Sequence, residues 1–212
     1  QPGLLKGSSV VDIGEATKAV AGKTGQQTME GIIENYDSLK PALEKLLAEG
    51  RQIPLSSVKL RAPLPRPGKI WCMGGNYKEN GQRPVGEAWG FLKSPEAILD
   101  PDGVVVLPPA DTNIFHHEAE LVVVIGRTGK NIKAAQAMDY VFGYTCGVDV
   151  SARLANAGPG GHLGKSFDGF APIGPCITTK DELTDPHKLQ VRLWVDGQLR
   201  PNYNTSDMAR NI

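Results

Sequence analysis

Two glutamates one residue apart stand in the stretch His116-His117-Glu118-Ala119-Glu120-Leu121-Val122-Val123-Val124-Ile125-Gly126. The stretch reads as a β-strand, whose side chains alternate faces. Positions 119, 121, 123 and 125 are Ala, Leu, Val and Ile, an apolar face. His116, Glu118 and Glu120 share the other face, with the two glutamate Cα atoms roughly 7 Å apart by strand rise. Carboxylates that close repel, and a hard divalent cation (Mg²⁺, Mn²⁺ or Ca²⁺) relieves the repulsion through oxygen ligands. The same spacing also describes an antiparallel strand with a wet face that carries two acids. Val122 and Val124 on the carboxylate side argue for a buried face, but on spacing alone both readings stand.

Asp149 offers a third carboxylate in Val141-Phe142-Gly143-Tyr144-Thr145-Cys146-Gly147-Val148-Asp149-Val150-Ser151-Ala152-Arg153. A lone acid in so apolar a run is costly. Three acids with waters make an octahedral oxygen site; otherwise Asp149 caps a turn with Ser151 or pairs with Arg153. Lys165, in Gly164-Lys165-Ser166-Phe167-Asp168-Gly169-Phe170, is either a contact for an anionic substrate or a solvated loop lysine. The Gly-Lys-Ser there lacks the phosphate-loop pattern, since Pro159 stands where its first glycine belongs and no strand precedes it. Cys146 reads as a buried structural thiol. His116 and His117 adjoin the acids as a base or as structural imidazoles. His162 lies in the glycine-rich loop from Gly158 to Gly164, which can approach a ligand, and His187 reads as solvated.

These groups must be held by short strands. The chain has 25 glycines and 16 prolines in 212 residues, roughly one in five against a usual one in eight, which excludes a helical bundle. The clearest helix spans Tyr36 to Gly50, with Ser38 as its cap, Pro41 in its first turn, a stripe of Leu43, Leu46 and Leu47, and Gly50 to end it. Alternation predicts strands at Val58–Ala62, Lys69–Met73, Val104–Leu107, Glu118–Gly126 and Gln190–Val195, the last turning at Asp196-Gly197 into a return strand from Leu199. Lys133–Met138 is the only helical stretch expected after residue 58. A small N-terminal α-containing segment, residues 1–57, precedes a β-rich domain, residues 58–212.

Lys plus Arg and Asp plus Glu are 23 each, a formal net charge of zero. That balance argues against a nucleic-acid or anionic-membrane partner. Three scattered cysteines indicate a reducing compartment, and no apolar run spans a bilayer, so a cytoplasmic protein is expected.

Several separate stretches resemble the fumarylacetoacetate hydrolase superfamily in the family's order: RAPLPRPGKIWCMGGNYKEN, FLKSPEAI, HHEAELVVVIGR, GYTCGVDVSAR, GKSFDGFAPIGP and LWVDGQLRPNYNTSDM. The resemblance covers residues 58 to 212. It implies an α+β, β-rich mixed β-roll and a homodimer acting on 2-oxo or 2,4-dioxo acids and their enols by C–C hydrolysis, decarboxylation or keto–enol isomerisation. It implies that Glu118, Glu120 and Asp149 hold the divalent metal and that Lys165 is the active-site lysine. Arg153 would lie beside the site, and Tyr77 would open a lid segment.

The family's lid pattern N-Y-x-x-H-x-x-E places Asn80 and Arg83 at its His and Glu positions here, and Asn is no general base. Glu79, Glu87 or a histidine such as His116 would have to substitute, which tilts the expectation away from hydrolysis. Asn156 stands where the family often has a substrate-binding Gln. The chain stops at Asn211-Ile212, short of the family's last strands and its Gly-Thr-Pro-rich loop, and an open sheet edge is expected. The competing expectations are a catalytically silent member that binds metal and oxo acid, and a structural fragment without metal.

Overall fold

The computed structural model describes residues 1–155 and 162–212. Strands β1 (Gly3–Lys6) and β2 (Ser9–Asp12) form a hairpin, α1 (Gly25–Glu34) and α2 (Tyr36–Glu49) follow, and β3 (Gln52–Pro54) returns beside β2. Ile13, Ile32 and Leu43 form the core of this unit, with Leu39 and Leu46 packed on it. Thr24 caps α1 by accepting from the Gln27 N–H at 3.2 Å. Asn35 stands at the start of α2, so the expected cap, Ser38, lies inside the helix and donates back to the Asn35 carbonyl. The Gly50 N–H closes the end on the Leu46 carbonyl.

The strand expected at Val58–Ala62 does not form. The Ala62 N–H goes instead to the Asp100 carboxylate at 2.8 Å, and Pro63, Pro65 and Pro67 have no N–H to offer a ladder. Antiparallel β4 (Ile70–Gly74) and β5 (Trp89–Lys93) come next, with Cys72 opposite Phe91. The short β6 (Ile98–Leu99) leads to Val104–Leu107, where a second expected strand is missing. Val104 and Val106 are 79% and 71% exposed, among prolines that cannot donate.

The main sheet is built from β7 (Phe115–Ile125), β8 (Val141–Ala152) and, after α3 (His162–Lys165), β9 (Ala171–Thr179), in the order β6-β9-β8-β7. Among the described residues of this sheet, only β6 pairs in parallel. The Lys133–Met138 helix appears as a 3-10 turn, Ala134–Tyr140. The one-turn α3 was not expected, because four residues carry no periodicity. The hairpin β10 (Gln190–Val195) and β11 (Gln198–Asn204) turns where expected, with Asp196 and Gly197 at φ 51° and 72°. The fold is α+β and β-rich.

The β7–β8 register sets the site. Glu118 pairs with Asp149 and Glu120 with Gly147, so Thr145, Gly147, Asp149 and Ser151 share the glutamates' face. The even residues Val150 and Ala152 point the other way into a core with Ala97, Phe170 and Ala171. Cys146 is exposed, contrary to expectation. Its β9 partner is Gly174, which has no side chain to cover it, beside an irregularity in the ladder.

Candidate active site

Asp149 is buried in the middle of β8, and each of its oxygens takes a lysine. Oδ1 accepts from Lys93 Nζ and Oδ2 from Lys165 Nζ, both at 2.5 Å. Neither turn capping nor pairing with Arg153, the alternatives in the sequence, describes it. Lys165 is not a solvated loop lysine either: its side chain is 8% exposed. Its ammonium also donates to Glu118 Oε2 at 3.0 Å and to Ser151 Oγ at 2.7 Å, and it stands 4.6 Å from the centroid of the Phe91 ring. Gly164 makes this placement possible, since a Cβ there would run into the Ala152 carbonyl oxygen. α3 therefore lies directly on β8.

Arg153 caps the open end of the cluster. Its guanidinium pairs with Glu118 Oε1, and its Nε lies 3.0 Å from His116 Nδ1. Guanidinium nitrogens only donate, so His116 Nδ1 is an acceptor and a neutral ring carries its proton on Nε2. Burial pushes the Glu118 carboxyl up, but Lys165 and Arg153 more than reverse this and leave it below the ordinary range.

Glu120 is different. Among the described residues it has no hydrogen-bond or ion-pair partner. Burial raises its carboxyl to about 8, the Asp149 and Glu118 charges push the same way, and Lys165 offsets only part. Beside it stand Tyr77 and Tyr203, ring centroids 4.5 Å apart, with the Tyr203 hydroxyl donating to the Ala119 carbonyl at 2.6 Å. Burial and the Glu120 charge push Tyr77 up to about 12. Cys72 is likewise pushed up to about 12, chiefly by burial, so it is a thiol here and not a nucleophile.

Glu118, Glu120, Asp149, Lys165, Arg153, His116 and Tyr77 thus line one pocket. Glu79 lies on its rim but is 61% exposed and paired with Arg83 at 3.1 Å, away from the buried cluster. Asn156 lies outside the described residues, as does the loop before His162. Lys93 and Tyr203 were missed. Lys93 had a readable signal: it shares the parity of Phe91 in β5, and a lysine on an apolar strand face needs a buried partner.

Among the described residues, no three His, Cys, Asp or Glu side chains stand close enough as placed to enclose an ion. Lys93, Lys165 and Arg153 hold the oxygens of Glu118 and Asp149. The donor set nevertheless suits a divalent cation: three carboxylates on adjacent strands, one of them without a cation. No helix among the described residues is long and apolar enough to cross a membrane.

The family model described as fumarylacetoacetate (FAA) hydrolase C-terminal matches residues 69–212. Human oxaloacetate tautomerase FAHD2A, mitochondrial, is 40% identical over 191 residues, covering 86% of this chain and 60% of the relative. A solved maleylpyruvate hydrolase from Sphingobium sp. SYK-6, in complex with manganese (II) ion and pyruvate, is 35% identical with a TM-score of 0.85, over 97% of this chain and 74% of that one. A 5-carboxymethyl-2-hydroxymuconate delta-isomerase from Mycobacterium smegmatis is 38% identical with a TM-score of 0.65, over 75% of this chain and 61% of that one. The chain spans about 60% of the length of the curated tautomerases it matches.

Proposed function

This chain belongs to the fumarylacetoacetate hydrolase family, and from that membership we propose that it is a divalent-metal-dependent enzyme of small 2-oxo acids, with keto–enol isomerisation as its reaction. The observation that carries the reading is geometric: Glu118, Glu120 and Asp149 converge on one pocket from the β7–β8 ladder, and Glu120 has no cation partner among the described residues. Glu118, Glu120 and Asp149 would hold the cation, Mg²⁺ or Mn²⁺. When bound, it supplies Lewis acidity toward the oxygens of the oxo acid.

The chain's own residues do the rest. Lys165 and Arg153 present cations to the substrate carboxylates. His116 holds a proton at Nε2, because Arg153 occupies Nδ1, and it offers that N–H as a hydrogen-bond donor to a substrate oxygen. Tyr77 and Tyr203 close one side of the pocket against water. Residues 1–57 are read as a unit appended to the catalytic residues 58–212. A homodimer belongs to this reading, and a second copy would cover the exposed Trp71, Met73 and Leu92, which share one face of β4 and β5. The unpaired cysteines favour a reducing compartment such as the cytoplasm.

The likeness to the maleylpyruvate hydrolase favours a second reading, C–C hydrolysis of an acylpyruvate. Asn80 at the lid His position weighs against it. The test is titration of Mn²⁺ and Mg²⁺ by calorimetry, followed by turnover of enol-oxaloacetate, oxaloacetate and an acylpyruvate. Metal binding lost in Glu118→Ala, Glu120→Ala and Asp149→Ala, with turnover of the enol, is expected. Full metal affinity in those variants would refute the ligand assignment, and turnover of the acylpyruvate alone would favour the second reading.

A further inference from the structure

Lys93 is a buried cation that the chemistry above leaves unused. Its side chain is 2% exposed, and its ammonium lies 2.5 Å from Asp149 Oδ1 and 3.2 Å from the Val150 carbonyl. It does not line the pocket that Asp149 and Lys165 line. The two ammoniums therefore grip one carboxylate from two sides, Lys165 from the pocket and Lys93 from behind its wall. The segments that carry them are also tied. Each lysine precedes a serine, and the Ser94 N–H donates to Ser166 Oγ at 3.0 Å.

The two lysines differ in what they can give up. Lys165 has three protons and three oxygen acceptors, on Glu118, Asp149 and Ser151. Any contact with a ligand requires it to release one. While no metal is bound, if Lys165 were the only counter-ion of Asp149, its leaving would strand a buried charge, which is strongly unfavourable. Lys93 removes that obstacle, because it stays on Oδ1 when Oδ2 is released.

We propose that Lys93 is a positioning residue, the standing counter-ion of Asp149, which frees Lys165 to exchange between that carboxylate and an anionic ligand in the pocket. Only the identity of the anion rests on the oxo-acid reading.

The first test needs no ligand. The rate at which an excess of succinimidyl acetate acetylates Lys165 is followed by peptide mass spectrometry in the wild type, Lys93→Arg and Lys93→Met. Lys93→Met makes Lys165 the sole partner of Asp149, so its acetylation slows, while Lys93→Arg labels like the wild type. An unchanged or faster rate in Lys93→Met overturns the proposal. Should Lys93→Met fail to fold, Lys93→Met with Asp149→Asn is expected to fold, since the acid no longer needs a counter-ion; failure of that double variant also overturns it. The second test is titration of Mn²⁺ and then of oxalate. Lys93→Met is expected to lose about 10–100-fold in Mn²⁺ affinity, with recovery in Lys93→Arg. Wild-type affinity in Lys93→Met counts against the proposal. Absence of Mn²⁺ and oxalate binding in the wild type sinks the proposed function instead, and the acetylation rates still decide the role of Lys93.

Discussion

Glu118 and Asp149 face one another across the β7–β8 ladder, and one ammonium, Lys165 Nζ, bridges them at 3.0 and 2.5 Å. The lysine comes from α3, an element that the ladder does not contain, so the bridge joins three segments of the chain at one point. Its removal tests structure and chemistry together.

Lys165→Met leaves Glu118 with Arg153 and Asp149 with Lys93, but it opens a buried pair. Breaking such a pair costs about 3–5 kcal/mol, and the remaining cations place this case at the low end, about 3 kcal/mol. The melting temperature should fall by about 2–4 °C for each kcal/mol at this chain length. Turnover should fall by at least about 100-fold, the scale for losing a charge-stabilising donor, as measured by enol-oxaloacetate decay.

Glu120 gives the metal-free protein a defined pH dependence. The folded protein keeps its proton up to about pH 8, while the unfolded chain releases it near the ordinary glutamate value of 4.5. Between these values folding takes up a proton. The group's contribution is therefore complete below the lower value and is lost as pH rises toward 8. Thermal melts from pH 5 to pH 9 should show Glu120→Gln gaining on the wild type as pH rises. A constant offset between the two would count against the raised carboxyl.

The same proton couples to metal. A cation bound at Glu120 needs the carboxylate, so Mn²⁺ binding near pH 7 should release up to about one proton from this group. Calorimetry in two buffers of different ionisation enthalpy reads the number directly. Release should vanish above about pH 9 and in Glu120→Gln.

Gly164→Ala tests the placement of α3. The new methyl meets the Ala152 carbonyl oxygen, which is backbone and cannot swing aside. Overpacking of this kind costs about 1–3 kcal/mol. Because Lys165 is the next residue, ligand affinity should fall along with the melting temperature. A variant that melts lower but binds oxalate normally would separate the helix from the site.

Tyr203→Phe removes one hydrogen bond to the Ala119 carbonyl, worth about 1 kcal/mol. The ring remains against Tyr77, so the fold should persist. The expected outcome is a small loss of stability with a rise in KM and little change in kcat.

Strand parity by itself determined a good deal. The alternation from Ala119 to Ile125 put Glu118 and Glu120 on one face, and the structure keeps them there because that period is a local property of an extended chain. Asp196-Gly197 likewise named its turn, since both positions require positive φ. Local patterning failed where ladder partners decide: Val58–Ala62 and Val104–Leu107 alternate or are apolar, yet neither pairs; the Ala62 N–H goes to the Asp100 carboxylate, and prolines flank both stretches. Partnership across the chain was also beyond reach. Asp149 is 56 residues from Lys93 and 16 from Lys165, and nothing in the spacing of three separate motifs states that two ammoniums will share its two oxygens. Only the packing of β5 and α3 against β8 brings them together, and it does so because a buried carboxylate is tolerated where cations reach it.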